Sequence, residues 1–349
     1  MVGSEGFSLH DPFSRDRISK IDTRSVHETY IGWPGLAREG FNTDFEVPDG
    51  KVERTVVLGM GGSAAGGDIV TSWLTGRKGV EMAVFKGQVP IGDMRGTLAI
   101  ACSVSGETLE TVQMLRTAHE RGAMLMSMSS GGKLAAESKR LGVAHIRIPR
   151  ALAPRFSLPF IVFTLVSILD RVHGLRSSVD AQEAFHLMDQ TATLVREEAP
   201  EEKDPAKRIA RTLFEATPVI YGPRVTRGVG IRFKNVLNEN SKKHALFDGI
   251  PDAFHNDVES WEDPTTEFRP MFLRHTQEDG TEKERTDAMV QMLTDAGKAP
   301  LEVRGRGKGS LSQIMTMVYE LDMVSYYLAV GLGRDPFPVD LIERLKRKT

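Results

Sequence analysis

CSVSGETLET (residues 102–111) ends an apolar run and opens directly into a helical pattern. The run before it, TLAIACS (97–103), is too short and too continuous for a helix and reads as a strand buried on both faces. The same unit recurs on either side. RTVVLGM (54–60), VEMAVFKG (80–87), AMLMSMS (123–129) and AHIRIP (144–149) read as strands, with helices starting near Ala64, Thr108 and Lys133 between them. Strand, glycine turn, helix, strand predicts βαβ units, a parallel sheet and a right-handed three-layer α/β/α sandwich.

Downstream, SLPFIVFTLVSILDRVHGL (157–175) reads as a strongly apolar helix, followed by another over 181–198. The acidic stretch EEAPEEKDP (197–205) predicts the domain boundary. A second α/β cycle then begins, with strands at TPVIYG (217–222), HALFD (244–248), EFRPMFLRH (267–275) and APLEVRG (299–305). A helix over 227–242, one from Ser310 to Gly331 and a basic tail helix (Leu341 to Lys348) complete it. The predicted organisation is an N-terminal helical extension (1–45), a first α/β domain with its linking helices (46–198) and a second with a C-terminal tail helix (199–349). The halves share topology more than sequence, as an old duplication would.

Composition narrows function. Lysine and arginine number 45 against 47 acidic residues, so no global charge draws the chain to nucleic acid or an anionic membrane. The single cysteine, Cys102, excludes an internal disulfide and predicts a small buried core residue in a reducing compartment. The opening MVGSEGFSLHDPFSRDRISK lacks a basic-then-apolar leader pattern, and Glu320 and Asp322 interrupt the longest apolar segment. Together these predict a cytoplasmic protein.

Any phosphate recognition must then be local. The first strand ends in LGMGGSAAGGD (58–68), which fits a loose dinucleotide fingerprint at Gly59, Gly61 and Ala64. That fingerprint also needs an acidic residue ending the second strand, where Phe85, Lys86 and Gly87 stand instead, so no nicotinamide cofactor is expected. Nothing matches a P-loop. Ser103, Ser105 and Thr108 put three hydroxyls on a turn at a helix N-terminus, with Gly106 admitting close backbone approach. Amide N–H groups and short hydroxyls of this kind make a nest for a phosphate dianion without any lysine. A capping serine would account for one of the three. The nine histidines show no H-x-H or H-x-x-x-H spacing, so no metal is expected.

GMGGSA paired with SxSGxTxET resembles the sugar isomerase (SIS) domain. With APR (153–155), NEN (238–240), HN (255–256) and a C-terminal RLK ending at Lys346, nearly the whole chain resembles the bifunctional phosphoglucose/phosphomannose isomerases. The resemblance implies two tandem SIS sandwiches with parallel sheets, no metal or cofactor, a homodimer and a hexose 6-phosphate substrate. It assigns phosphate binding to Ser103, Ser105 and Thr108, and sugar contact to Gly61, Gly62 and Ser63. Arg155 becomes the arginine beside the reacting carbons, Glu239 the base, His255 the ring-opening group reaching a neighbouring subunit, and Lys346 its partner. One position departs: Val339 stands where the family carries a threonine tied to the mannose epimer.

These residue types suit the reaction. One carboxylate over C1 and C2 can move a proton between them through a cis-enediol. A guanidinium holds the charge that develops on the enediol oxygens, and a histidine titrates in the range needed to open a sugar ring. Two alternatives stay open. One is a non-catalytic sugar-phosphate sensor, against which the chain offers no basic DNA-binding face. The other is an isomerase of another sugar phosphate.

Overall fold

The computed structural model describes residues 11–89, 92–262, 267–346 and 348. The first ten residues of the expected N-terminal extension, and Arg347 of the expected tail helix, lie outside that set. Three helices come first: α1 (Arg15–Ile21), α2 (Val26–Ile31) and α3 (Trp33–Asn42). The first sheet and its helices follow as β1 (Arg54–Gly59), α4 (Gly61–Trp73), β2 (Met82–Phe85), β3 (Thr97–Cys102), α5 (Leu109–Glu120), β4 (Met124–Ser129), α6 (Gly132–Leu141) and β5 (Ala144–Arg147). Next come α7 (Leu158–His173), α8 (Ser178–Leu194) and α9 (Pro205–Thr212). The second sheet comprises β6 (Thr217–Gly222), α10 (Arg227–Val236), β7 (Leu246–Gly249), β8 (Phe268–Arg274), α11 (Gly280–Asp295) and β9 (Leu301–Arg304). Helices α12 (Ser310–Gly331) and α13 (Asp340–Lys346) end the chain.

Both sheets are wholly parallel, ordered β2-β1-β3-β4-β5 and β7-β6-β8-β9. All six residues of β3 are buried, as its unbroken apolar run requires. Gly59 at the end of β1 pairs with Cys102 at the end of β3, so the two loops leave the sheet side by side. This is the point where strand order reverses and where open α/β sheets bind ligands. Burial pushes the Cys102 thiol up to about 12, leaving it a packing group.

The helical layer joins the two sheets. Helix α3 packs along α7, while α12 packs along α8, α9 and α10. Helix α7 is apolar and long enough, with its lead-in, to cross a membrane, but 78% of the relevant window is buried within the protein. Helix α12 is buried over almost its whole length. The acidic stretch 197–205 is tied down: Asp204 caps α9 by accepting from the N–H groups of Ala206 and Lys207, and Lys207 Nζ donates to the carbonyls of Glu197 and Ala199.

Helices α4 and α10 lie antiparallel in contact. Near the start of α10, a Cβ on Gly228 would fall 2.4 Å from the Asp68 carbonyl in the second half of α4. The Gly228 N–H donates to Ser72 Oγ at 2.8 Å. The far end of α10 therefore comes to the start of α4.

In the second sheet, β8 occupies the place of β3, yet its end is closed. Arg274, 2% exposed, binds Glu278 at 2.9 Å, Asp287 at 2.7 Å and Glu302 at 2.5 Å. The first sheet opens into a serine loop at this place; the second fills it with its own charges.

Because a backbone carbonyl opposes Gly228, Gly228→Ala is expected to force α10 away from α4. The expected loss is about 1–3 kcal/mol, read from urea midpoints at constant slope.

Candidate active site

The paired loops build one wall. Ser103 is buried and its hydroxyl donates to Thr108 Oγ1 at 3.0 Å, while exposed Ser105 accepts from the Glu107 N–H at 3.2 Å. Gly106 has φ +73°, and a Cβ there would strike the Gly131 carbonyl at 1.8 Å, so only glycine fits the turn. Ser63 ties the two loops together: its Oγ accepts from the Val104 N–H at 3.0 Å. Gly61 adopts a left-handed φ of +50° at the head of α4.

Arg155 sits against this wall, its Cα 3.4 Å from where a Gly62 Cβ would be. The sequence alone allows a water-exposed helix start here, but the residue is 3% exposed. Three of its contacts are structural. Nε donates to Asn240 Oδ1 at 2.9 Å, and Nη2 donates to the carbonyls of Pro336 (3.0 Å) and Phe337 (2.6 Å). Nη1 lies 3.7 Å from Glu239 Oε2. Burial lowers the Arg155 pKa from its ordinary value, partly opposed by Tyr30 and Glu239; the group stays a cation.

Glu239 does not continue a regular α-helix. Residues Leu237–Ser241 form a single π-turn after α10, ended by Lys242 at φ +54°. Such turns insert one residue and recur at functional sites. Here the turn buries Asn240 while its neighbour Glu239 keeps a side chain that is 25% exposed. Lys242 Nζ donates to the carbonyls of Glu239 (2.9 Å), Asn240 (3.0 Å) and Asp335 (2.8 Å), closing the turn against the C-terminal segment. Burial draws its pKa down to about 8.

The chain thus brings together Gly61, Gly62, Ser63, Ser103, Ser105, Thr108, Arg155 and Glu239. His255 is elsewhere. Gly249, which ends β7, pairs with Gly222 at the end of β6, and Ile250 N–H donates to the Gly222 carbonyl. His255 follows, exposed, in the loop off that edge, where α10 begins. Glu239 stands at the other end of α10, about 18 Å from Arg227 along the axis. Nearby Lys243 Nζ reaches the Phe214 carbonyl, which precedes β6. Lys346 is exposed at the end of α13, and half-buried Val339 lies two residues beyond the carbonyl that holds Arg155. Among the described residues no three His, Cys, Asp or Glu side chains converge as a metal site.

The sequence reading missed the π-turn, the role of Asn240 and a buried pair behind them. Arg232 binds Asp322 through two contacts, Nε–Oδ1 at 3.1 Å and Nη2–Oδ2 at 2.6 Å, and also donates from Nη2 to the Arg155 carbonyl at 2.9 Å. Asp322 interrupting an apolar segment was the available signal.

Two parallel-sheet α/β units, the first with a serine loop at its switch point, have the architecture of the SIS class of proteins. Residues 202–349 match the family described as bacterial phospho-glucose isomerase C-terminal SIS domain. The chain is 30% identical over 319 residues to a bifunctional phosphoglucose/phosphomannose isomerase of Aquifex aeolicus, covering 89% of this chain and 96% of that one. It is 30% identical over 316 residues to one so named in Caldicellulosiruptor bescii, covering 88% and 93%. A hypothetical protein of Thermus thermophilus shares the fold, with TM-score 0.71, 18% identity and coverage of 97% and 94%. The chain belongs to the bifunctional phosphoglucose/phosphomannose isomerase family.

Ser63→Ala would leave the buried Val104 N–H without its acceptor and uncouple the two loops. The expected result is roughly tenfold weaker binding of inorganic phosphate by calorimetry, the equivalent of about 1.4 kcal/mol.

Proposed function

We propose that the protein interconverts glucose 6-phosphate and mannose 6-phosphate with fructose 6-phosphate. The observation that carries this reading is the Arg155–Glu239 pair, 3.7 Å apart beside the serine loops. The phosphate is held by Ser103, Ser105, Thr108 and the amides opening α5, and the sugar lies along Gly61, Gly62 and Ser63. His255, assisted by Lys346, moves the proton that opens the ring. Glu239 then removes the C2 proton of the open aldose, giving a cis-enediolate whose negative charge falls on the oxygens. Arg155 Nη1 faces that charge, its other contacts already committed to protein. Glu239 returns the proton to C1 as the proton on O2 passes to O1, which leaves the ketose with a C2 carbonyl and a C1 hydroxyl. Return to the opposite face of the planar C2 gives the mannose epimer, and Val339 bears on how well that face fits.

The active unit in this reading is a homodimer in the cytoplasm, with His255 donated by the neighbouring copy. The support is the placement of His255 and Glu239 at opposite ends of α10. A sensor without chemistry would have no use for a carboxylate held beside the arginine.

Both aldose phosphates are expected to turn over in excess chelator, and Glu239→Gln to abolish both activities while phosphate still binds. Loss of only the mannose activity would point to Val339; binding without turnover in the wild type would sink the enzyme reading.

Sharing of the site between copies has its own test. Glu239→Gln and His255→Ala are each expected to be inactive alone. Denatured together and refolded at equal concentration, they are expected to regain about a quarter of wild-type activity, since half of the dimers carry one intact site. No recovery would mean that His255 acts within its own chain.

A further inference from the structure

Asn240 is 0% exposed and makes three side-chain hydrogen bonds, with both amide hydrogens and the amide oxygen engaged. Its Oδ1 accepts from Arg155 Nε at 2.9 Å. Its Nδ2 donates to Tyr30 Oη at 2.8 Å and to Ser325 Oγ at 2.9 Å. The Ser325 hydroxyl in turn donates to the Asp322 carbonyl at 2.6 Å. The orientation of the amide is therefore forced, because only its oxygen can face a guanidinium. Three distant segments, carrying Tyr30 on α2, Ser325 on α12 and the π-turn itself, clamp this one side chain.

What the clamp does follows from the guanidinium. Arg155 has three nitrogens: Pro336 and Phe337 hold Nη2, and Asn240 holds Nε. With both fixed, the plane of the fork is fixed, and Nη1 is left on the Glu239 side. The same π-turn that buries Asn240 turns Glu239 outward, so one backbone distortion sets both the acceptor behind the arginine and the carboxylate in front of it.

We infer that Asn240 is a positioning residue for the isomerase reaction, holding Arg155 so that Nη1 meets the enediolate oxygens while Glu239 meets the carbons. The inference rests on the proposed function. Asn240 touches no substrate atom; it acts through Arg155. Its loss should therefore leave phosphate capture alone and weaken the state in which charge has developed.

The test compares the wild type with Asn240→Ala and Asn240→Ser. The serine hydroxyl reaches only about as far as the amide carbon, so it ends short of Arg155 as it does of Tyr30 and Ser325. Both variants are expected to lose about a hundredfold in kcat with KM within threefold, the scale of a small misplacement at a reacting centre. Calorimetry with a sugar-phosphate hydroxamate that mimics the enediolate should show a comparable loss, against unchanged affinity for inorganic phosphate. In an Arg155→Lys background, which has no Nε fork to orient, Asn240→Ser should cost less than a further threefold. Wild-type kcat and hydroxamate affinity in Asn240→Ser would overturn the inference. So would equal losses for hydroxamate and inorganic phosphate, or a full additional loss in the Arg155→Lys background. A wild type that binds the hydroxamate without turning over sugar would refute the isomerase reading, and the binding series would still decide the part played by Asn240.

Discussion

Two guanidinium groups lie buried almost back to back in this protein, and much of the architecture compensates for them. Arg155 and Arg232 are 3% and 2% exposed, and Arg232 donates to the carbonyl of Arg155 itself. An isolated charge in such a place would be untenable, and removing one member of a buried pair typically costs about 3–5 kcal/mol. The compensation comes from far along the chain. Asp322 on α12 neutralises Arg232, whose pKa is carried upward: burial works against the charge, and the carboxylate outweighs it. Carbonyls of the C-terminal segment, Asn240 and Glu239 surround Arg155. The helix α12, the π-turn and the last residues thus meet where they do because a cation has to be satisfied there.

The division of labour between the sheets follows from helix direction. Antiparallel packing of α4 and α10, made possible by the glycine opposite Asp68, carries the end of a helix from the second sheet to the loops of the first. The first sheet carries the serine loop and the free amides of a helix start; the second brings the Glu239 carboxylate beside them. Neither sheet alone holds both. In the proposed reaction the amides at α5 would lose little on meeting a phosphate, being already aligned at a helix start. A helix start of this kind offers a dianion its donors without a cluster of lysines, which suits a chain of nearly balanced charge.

Much of this was legible in the sequence, for a physical reason. Continuous apolar runs such as TLAIACS (97–103) can only be strands buried on both faces, and the loops between Gly59 and Thr108 carry residue types that few other roles require. The resemblance then named Arg155 and Glu239 in advance. What remained hidden depends on contacts between remote residues. The π-turn at 237–241 has the same apolar spacing as a regular helix; it exists because Asn240 has partners on α2 and α12, over eighty residues away in each direction. Arg155 follows a proline at a helix start, where exposure is the ordinary outcome, and only the folded chain brings carbonyls to bury it. The stretch 197–205 has the composition of a linker, yet Asp204 and Lys207 fasten it to the helices.

The closed end of β8 shows how two sheets of like strand order can be put to different use. Where β3 of the first sheet runs into the serine loop, β8 of the second ends in Arg274 knitted to Glu278, Asp287 and Glu302. Its loops are then under no obligation to a ligand of their own. Such a sheet can act as an accessory: one end of α10 reaches the loops of the first sheet, and the loop after β7 lies at the opposite end, exposed at His255. Charges closed on themselves at the end of one sheet, on this view, leave its helices free to complete the site of the other.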